Sequence, residues 1–587
     1  MTFLSRKLKT PLMLAISAAM AVSFAACSDS DGGPASAAPP PVASPPPPAP
    51  PPPAPPPPAS PPPPPAGSVT ISGSVTFEDV GVDTSNNDFV LDLSDLTALP
   101  ARGVVVEAVN AAGAVLASTV TSDTGQYALN VAANTDVRIE VEARLLQTTG
   151  ATWDVPVLDN TAGNALYVLQ GSLTNSGSTN STRDLFAPSG SNGFSAYTGP
   201  RTSGPFAILD EILNGLRLIE TESPNLDFPN LQIFWSVNNR TTGGEVSDGE
   251  IGSTSFTSIQ DPVTNIFVPT ILVLGDIGTD TDEFDEHVIT HEFGHYFQEL
   301  LSRDDSIGGS HSLDSLLDAR VAFSEGWGNA ISAIITEDPI YVDAGFGSNL
   351  GFAFNLDLNG IGSALNANGW YGESSIQSIL YDVFDSTNDG PDSVSVGFGP
   401  LFDAFTSPTF TDSDASTTIF SFIEALVEQP GVSTSDLAPL LALQDINGTG
   451  EFASGETNDG GIAQSLPIFV PYTVGDPPIN ICSIDDAGEV NRLGNRVLII
   501  MNNPSSGVFT ITMTRTSGPF DRDPDFTIRN EGAFVTGGFS EDPDTETIVA
   551  QLPAGQLIVD ARDFENTDPD NESPAPSGDA CFDFSAL

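Results

Sequence analysis

Two histidines four residues apart, with a glutamate directly after the first, form the segment His291-Glu292-Phe293-Gly294-His295. On a helix, positions i and i+4 share a face, so both imidazoles can grip one metal ion. Neutral imidazole nitrogens are ready zinc donors, and a catalytic zinc keeps one position for water. Glu292 is placed to take that water's proton. The chemistry this pattern points to is zinc-dependent hydrolysis, of peptide bonds before other substrates. The chain of 587 residues has only four histidines, His287, His291, His295 and His311. Chance gives such a pattern on the order of 10⁻³ times in a chain of this composition. The bland alternative is an amphipathic helix with two surface histidines and no metal.

The elements that would position these groups are readable nearby. Thr281 or Asp282 can cap a helix whose first turn carries Asp282, Glu283, Asp285 and Glu286, as the macrodipole prefers. Phe284, Val288, Ile289, Phe293, Phe297 and Leu300 then recur at helical spacing. Gly294 costs about 1 kcal/mol against Ala in a helix, which implies close packing beneath the metal. A third ligand is needed. Gln298 and Leu301 stand where a His-x-x-Gly-x-x-His continuation would need Gly and His, so that continuation is excluded. Glu325, in Ala322–Ala330 within an apolar run reaching Ile335, is the candidate. A carboxylate there is costly unless paired or metal-bound; the alternative is a buried glutamate satisfied by Arg320.

On these residues, HEFGH followed by SEGWGNA, the region 200–400 resembles the gluzincins, the thermolysin-like clan of zinc metallopeptidases. The resemblance implies His291, His295 and Glu325 as zinc ligands and Glu292 as general base. It implies Asn329 in the place of an Asp that orients a ligand histidine, a departure that brings no charge. The clan also uses a donor to the oxyanion, often a downstream histidine. None follows His311, so Tyr371 and Tyr381 are the candidates, with core packing on a helix as their alternative. His287 lies one turn before His291 and reads as a residue that supports the ligands from behind or lies at the surface. His311, in a Gly-Gly-Ser loop, either lines the cleft or is a plain loop histidine. Ile266–Gly275 is a β-rich apolar segment that can serve as the edge strand binding extended peptide in this clan, or as an ordinary buried strand.

The rest of the chain frames that unit. Residues 1–26 read as a signal peptide, and Cys27 after small residues looks like a lipid-attachment site. Residues 27–67 form the attachment and Pro-rich linker, a polyproline II spacer on the order of 80 Å. Residues 68–146 resemble the carboxypeptidase regulatory-like β-sandwich, 147–475 hold the metallopeptidase unit, and 476–587 resemble a small C-terminal β-sandwich. The expected class is multidomain: an α+β zinc-peptidase domain flanked by two all-β sandwiches. Asp445, Asn447, Thr449 and Glu456 have the spacing of a Ca²⁺ loop, against a polar glycine turn. With Cys27 committed to lipid, Cys482 and Cys581 are the remaining pair for a disulfide.

The formal net charge is −59, and the only lysines, Lys7 and Lys9, lie in the leader. Such a surface repels nucleic acid and anionic membrane, so the membrane is expected to be met through the N-terminal lipid only. The expected place is extracytoplasmic: an outer-membrane or cell-surface lipoprotein, or a secreted protein if no lipid is added. The expected partners are protein or peptide substrates. The competing function is a non-enzymatic surface lipoprotein, an adhesin or binding protein with a structural or degenerate metal site.

Overall fold

The computed structural model describes residues 67–587 apart from 86–87, 262–263, 348, 359–367, 387–393, 486–489, 521, 541 and 568–577. The leader, Cys27 and almost all of the Pro-rich segment lie outside the described residues. The described chain is β-rich and multidomain, with several sheets and a few helices.

Alternating apolar residues build the first strands, β1 (Ser68–Asp83), β2 (Val90–Pro100), β3 (Val104–Asn110), β4 (Val115–Val120), β5 (Gln126–Ala132) and β6 (Asp136–Gln147). In β6 every second residue from Val137 to Leu145 is buried, the signature of a sheet with one face on the core. β1 pairs with β2 and β5, and also with Ser181–Thr182 and Leu185–Ala187.

The chain then enters β7 (Trp153–Asp159), α1 (Gly204–Glu222), β8 (Gln232–Trp235), β9 (Ser255–Gln260) and β10 (Phe267–Val273). These strands join β3, β4 and β6 in one sheet, in the order β9-β10-β8-β7-β6-β3-β4, while β1, β2 and β5 belong to another. The boundary expected between residues 146 and 147 therefore falls inside a hairpin. Gly150, at φ +76°, sits in the turn through which β7 folds back on β6, with Gln147 opposite Trp153. A Thr-Thr-Gly turn closes a hairpin as readily as it opens a linker, so composition could not separate the two. One apolar core runs from Val106 and Leu145 through Leu213 of α1 to Phe293 and Trp327.

The long helices are α2 (Glu286–Leu301), α3 (Ala319–Thr336) and α4 (Glu373–Phe384), with β11 (Ile340–Asp343) between the last two. Every residue of α3 from Ala319 to Ile335 is buried. A helix buried along almost its whole length needs partners on every side, and α3 lies between α2 and α4. Short helices over 398–443 cover them.

The C-terminal unit has a separate core of Ile499, Met501, Ile511, Met513, Phe526 and Phe582 between a five-stranded and a four-stranded sheet. Its first strand, Phe469–Thr473, pairs in parallel with Arg496–Asn503, so the unit begins before the expected residue 476. Cys482 and Cys581 are directly opposite on neighbouring strands and are disulfide-bonded.

Candidate metal centre

α2 begins at Glu286, with Asp285 at its N-cap. This differs from the expected cap at Thr281 or Asp282. Asp282, Glu283 and Asp285 are buried in the preceding turns, where Arg201 pairs with Glu283 at 2.6 Å. The tertiary partners hold these carboxylates off the helix.

His291 and His295 project from one face of α2, and Glu325 from α3 faces them. One ligand atom from each lies within 4.8 Å of the other two. The two Nε2 atoms are 3.0 Å apart, and Glu325 Oε2 is 3.3 Å from His291 Nε2 and 3.4 Å from His295 Nε2. Each imidazole's other nitrogen is committed. His291 Nδ1 donates to Asn329 Oδ1 at 2.9 Å, and Asn329 donates on to Gln377 Oε1 at 2.8 Å. His295 Nδ1 meets Ser324 Oγ at 3.3 Å, and that hydroxyl donates to Asp304 Oδ2 at 3.1 Å. Both Nε2 lone pairs and one carboxylate oxygen therefore converge on one point. Glu325 Oε2 is buried there without an aligned hydrogen bond. Arg320, the sequence's other partner for Glu325, pairs instead with Asp318 and with Asp560 of the C-terminal unit, both at 2.8 Å.

Glycine makes this approach possible. A Cβ on Gly328 would meet the His291 ring at 2.7–2.8 Å, and one on Gly294 would meet Ile331 Cγ2 at 2.4 Å. Gly294 thus serves the contact of α2 with α3, where Trp327 Nε1 donates to the Gly294 carbonyl at 3.0 Å. The sequence had placed that contact under a metal.

Glu292 is buried, and its Oε2 accepts the Phe256 N–H of β9 at 2.6 Å. Burial pushes its carboxyl up, though His291 and His295 pull the other way. For Glu325 burial acts upward too, but His295 and His291 hold it well below the usual range. Burial alone would lower the His295 imidazole; Glu325 instead carries it up to about 9.

His311, left open by the sequence, stands at this cluster. Its Nε2 is 3.2 Å from Glu325 Oε2 and its Nδ1 is 2.8 Å from Glu373 Oε2. Burial would lower it, but the bond to Glu373 and the charge of Glu325 raise it to about 9. Tyr371 and Tyr381 are not brought here. The Tyr371 hydroxyl donates to Asn368 O and Asn458 Oδ1, both at 2.9 Å, and Tyr381 is buried two turns along α4 from Glu373, near Phe384. Both side chains pack in the core. His287 is buried beside Tyr341, its Nε2 3.1 Å from the Asp338 carbonyl, and it faces no ligand atom of the cluster.

Three of the four candidates in the 445–456 loop, Asn447, Thr449 and Glu456, bond within it or to its next residue. Glu456 accepts the N–H groups of Asn447 and Gly448, Asn447 Oδ1 accepts the Thr457 hydroxyl, and the Thr449 hydroxyl donates to the Ser454 carbonyl. These bonds are of the kind a polar glycine turn makes, the alternative reading of the sequence.

Sequence reasoning missed Ser324, Asp304, Gln377 and Glu373. Ser324 was visible as the neighbour of Glu325; the others come from distant segments. The strand beside Glu292 is β9, at the sheet edge, while β10, the expected candidate, lies inside between β9 and β8.

Residues 277–444, which contain His291, Glu292, His295, His311, Glu325 and Glu373, match the family described as Mycolysin C-terminal domain. This segment is similar to a peptidase-associated domain. No curated protein matches the chain. Among solved structures, the pre-peptidase C-terminal domain of collagenase from Bacillus anthracis is 10% identical over 20% of this chain and 94% of that one, at a TM-score of 0.15. A beta-glucosidase from Paenibacillus barengoltzii is 8% identical over 87% and 70%, at 0.12. At these TM-scores neither likeness bears on fold or activity.

Proposed function

We propose that the protein is an extracytoplasmic zinc metalloendopeptidase. The observation that carries this is the convergence of the His291 and His295 Nε2 lone pairs with Glu325 Oε2, an electron-rich point that calls for a cation. A tetrahedral zinc with bonds of about 2.0–2.1 Å has ligand atoms roughly 3.3 Å apart, close to the 3.0, 3.3 and 3.4 Å observed. His291, His295 and Glu325 would hold the ion. Bound zinc supplies Lewis acidity and a water whose pKa falls to about 7.

The chain's own groups do the rest. Glu292, raised by burial towards the working pH, takes the proton of the attacking water and passes it to the leaving amine. His311, held by Glu373, donates to the oxyanion as it forms. β9 offers the substrate an open edge. Its Phe256 N–H points away from β10, and alternation puts the N–H groups of Ser258 and Gln260 on that same side. An extended peptide adding there would lie along α2, as an unfolded or flexible protein could. Attachment through Cys27 at the outer membrane, with the Pro-rich segment as spacer, completes the reading.

The test pairs metal content with cleavage of casein. Wild type should carry one zinc per chain and lose cleavage with a chelator. Glu292→Gln should keep zinc and lose cleavage by at least about 10²–10⁴-fold. Full activity in Glu292→Gln would remove the assigned base, and unchanged zinc occupancy in Glu325→Ala would remove the third ligand.

A further inference from the structure

The stripe of α2 that carries Glu292 continues to a carboxylate the mechanism leaves unused. At about 100° per residue, Glu299 points about 20° from Glu292 and about 40° from His295, between their two directions. It stands two turns beyond Glu292 on the same helix, about 10 Å along the axis. Glu292 faces β9 through the Phe256 N–H, and His295 faces the metal point. Glu299 therefore looks into the groove between the edge strand and the metal centre.

The Glu299 side chain is exposed to solvent at that groove. Partial desolvation raises its carboxyl, and among the described residues His295 is the one charged group that acts on it. Arg303, four residues on and the usual helical partner, is spent on Asp305 at 2.7 Å and on the carbonyls of Ser413 and Ala415 at 2.6 and 3.0 Å. With 77 acidic residues against 18 basic ones, unpaired carboxylates are common on this surface. What sets Glu299 apart is its place.

That place can be put in register with a substrate. β9 and α2 run side by side in the same direction. Thr254, just before β9, donates its hydroxyl to Asp282, ahead of α2. Phe256 then reaches Glu292, and its ring packs 6.2 Å from that of Tyr296. Gln260, at the end of β9, lies towards the C-terminal turns of α2. A peptide adding to β9 in the antiparallel sense has its N-terminal part at that end. From the level of the metal to Glu299 is about 9 Å along α2, which an extended chain covers in two to three residues at about 3.3 Å each.

We propose that Glu299 selects substrates carrying a basic side chain, Arg or Lys, two or three residues before the scissile bond. The assignment rests on the peptidase reading with β9 as the substrate's edge. A guanidinium or ammonium group there meets a carboxylate with no cation of its own, in a groove that shields the pair in part from water. An Asp or Glu at the same place meets like charge, and the net charge of −59 draws basic segments rather than acidic ones to the protein.

The test uses the zinc-loaded full chain as wild type, Glu299→Gln and Glu299→Arg. Cleavage sites in casein are read by mass spectrometry, and peptides of one cut sequence then carry Arg, Gln or Glu in the second and third places before the cut. Wild type should favour Arg over Gln in kcat/KM by about three- to fivefold at low salt, and less when salt screens the pair. Glu299→Gln should lose that preference and Glu299→Arg should turn it towards Glu. Zinc content and Tm should stay those of wild type in both, which separates lost selection from a damaged centre. No preference in wild type overturns the proposal, and so does an undiminished Arg preference in Glu299→Gln. A second arm does not depend on hydrolysis: Glu292→Gln, with and without Glu299→Gln, is titrated with a casein peptide holding one Arg and with its Gln counterpart. Tighter binding of the Arg peptide only where Glu299 is present supports the site, and equal Kd values overturn it. Glu299-dependent binding in a protein that cuts nothing would count against the peptidase and leave the basic-side-chain site standing.

Discussion

Gly328→Ala separates the geometry of the centre from the stability of its helix. The new Cβ would lie 2.7 Å from His291 Cε1 and 2.8 Å from both ring nitrogens, where ordinary contact begins at 3.4 Å. The ring must retreat by roughly 0.6–0.7 Å, since a packed core does not absorb such an overlap elsewhere. It has little room. Its Nδ1 is held by Asn329 at 2.9 Å, and the Tyr341 ring stands edge-on 6.3 Å away. Metal–ligand distances tolerate about 0.2 Å, so the displacement exceeds the tolerance about threefold. Breaking a ligand's support costs about 10–100-fold in metal affinity, and a misplacement near 1 Å costs about 10²-fold in rate. Helix propensity acts the other way, with Ala better than Gly by about 1 kcal/mol. The expected result is zinc affinity down at least tenfold by chelator competition, casein cleavage down about a hundredfold at ambient zinc, and a metal-free Tm within a few degrees of wild type. Zinc affinity within twofold of wild type would refute the claim that the absent side chain sets the position of His291.

Three other outcomes follow from the contacts. His311→Phe should keep zinc and lower kcat about 10²–10³-fold, the worth of one oxyanion donor; an unchanged kcat would end that role. Asp560→Ala leaves Arg320 and Arg496 without their shared carboxylate and should cost about 3–5 kcal/mol in urea unfolding. Burial would raise Asp560, but the two guanidiniums hold it well below the usual carboxylate range. Its stabilisation is thus complete above the unfolded value of about 4 and lost as pH falls through the folded one. The variant should therefore show a flatter acid limb in Tm against pH. Replacing Cys482 and Cys581 by Ser opens a loop of sequence separation 99 and should cost up to about 4.7 kcal/mol on the chain-entropy model, read as a lower urea midpoint.

The metal-ligand pattern was legible because its chemistry is local. Two imidazoles at i and i+4 share a face in any helix, and a carboxylate inside an apolar run needs a reason. Long-range partners were not legible. Tyr371 and Tyr381 were candidates because no histidine follows His311, but the Tyr371 hydroxyl is taken by Asn458, 87 residues away. His311 sat in a loop without periodicity, and Glu373, which orients it, is 62 residues further on. The edge strand was missed for a physical reason. Apolar runs such as Ile266–Gly275 mark strands buried between neighbours, whereas an edge that receives a peptide reads as the more polar Ser255–Gln260. The departure at Asn329 also has a structural setting: its amide continues the relay to Gln377, where an aspartate would have no N–H to donate.

The C-terminal unit reads in sequence as an appendage, yet it holds both sides of the candidate centre. Asn491, fully buried, donates to the carbonyls of Gly308 at 3.0 Å and Ser310 at 2.9 Å, fixing the glycine loop that presents His311. Its own carbonyl accepts the Asp318 N–H at 2.8 Å, at the N-cap of α3. One and a half turns before Glu325, Arg320 is clamped between Asp318 and Asp560. A Gly-Gly-Ser loop has little conformational preference of its own, and α3 is buried on every side. Neither can set its position from local sequence, so the register of Glu325 and the reach of His311 are imposed from outside. The residues beyond 490 therefore act as a brace for the centre, and damage to that brace should appear as lost activity before it appears as a lost fold.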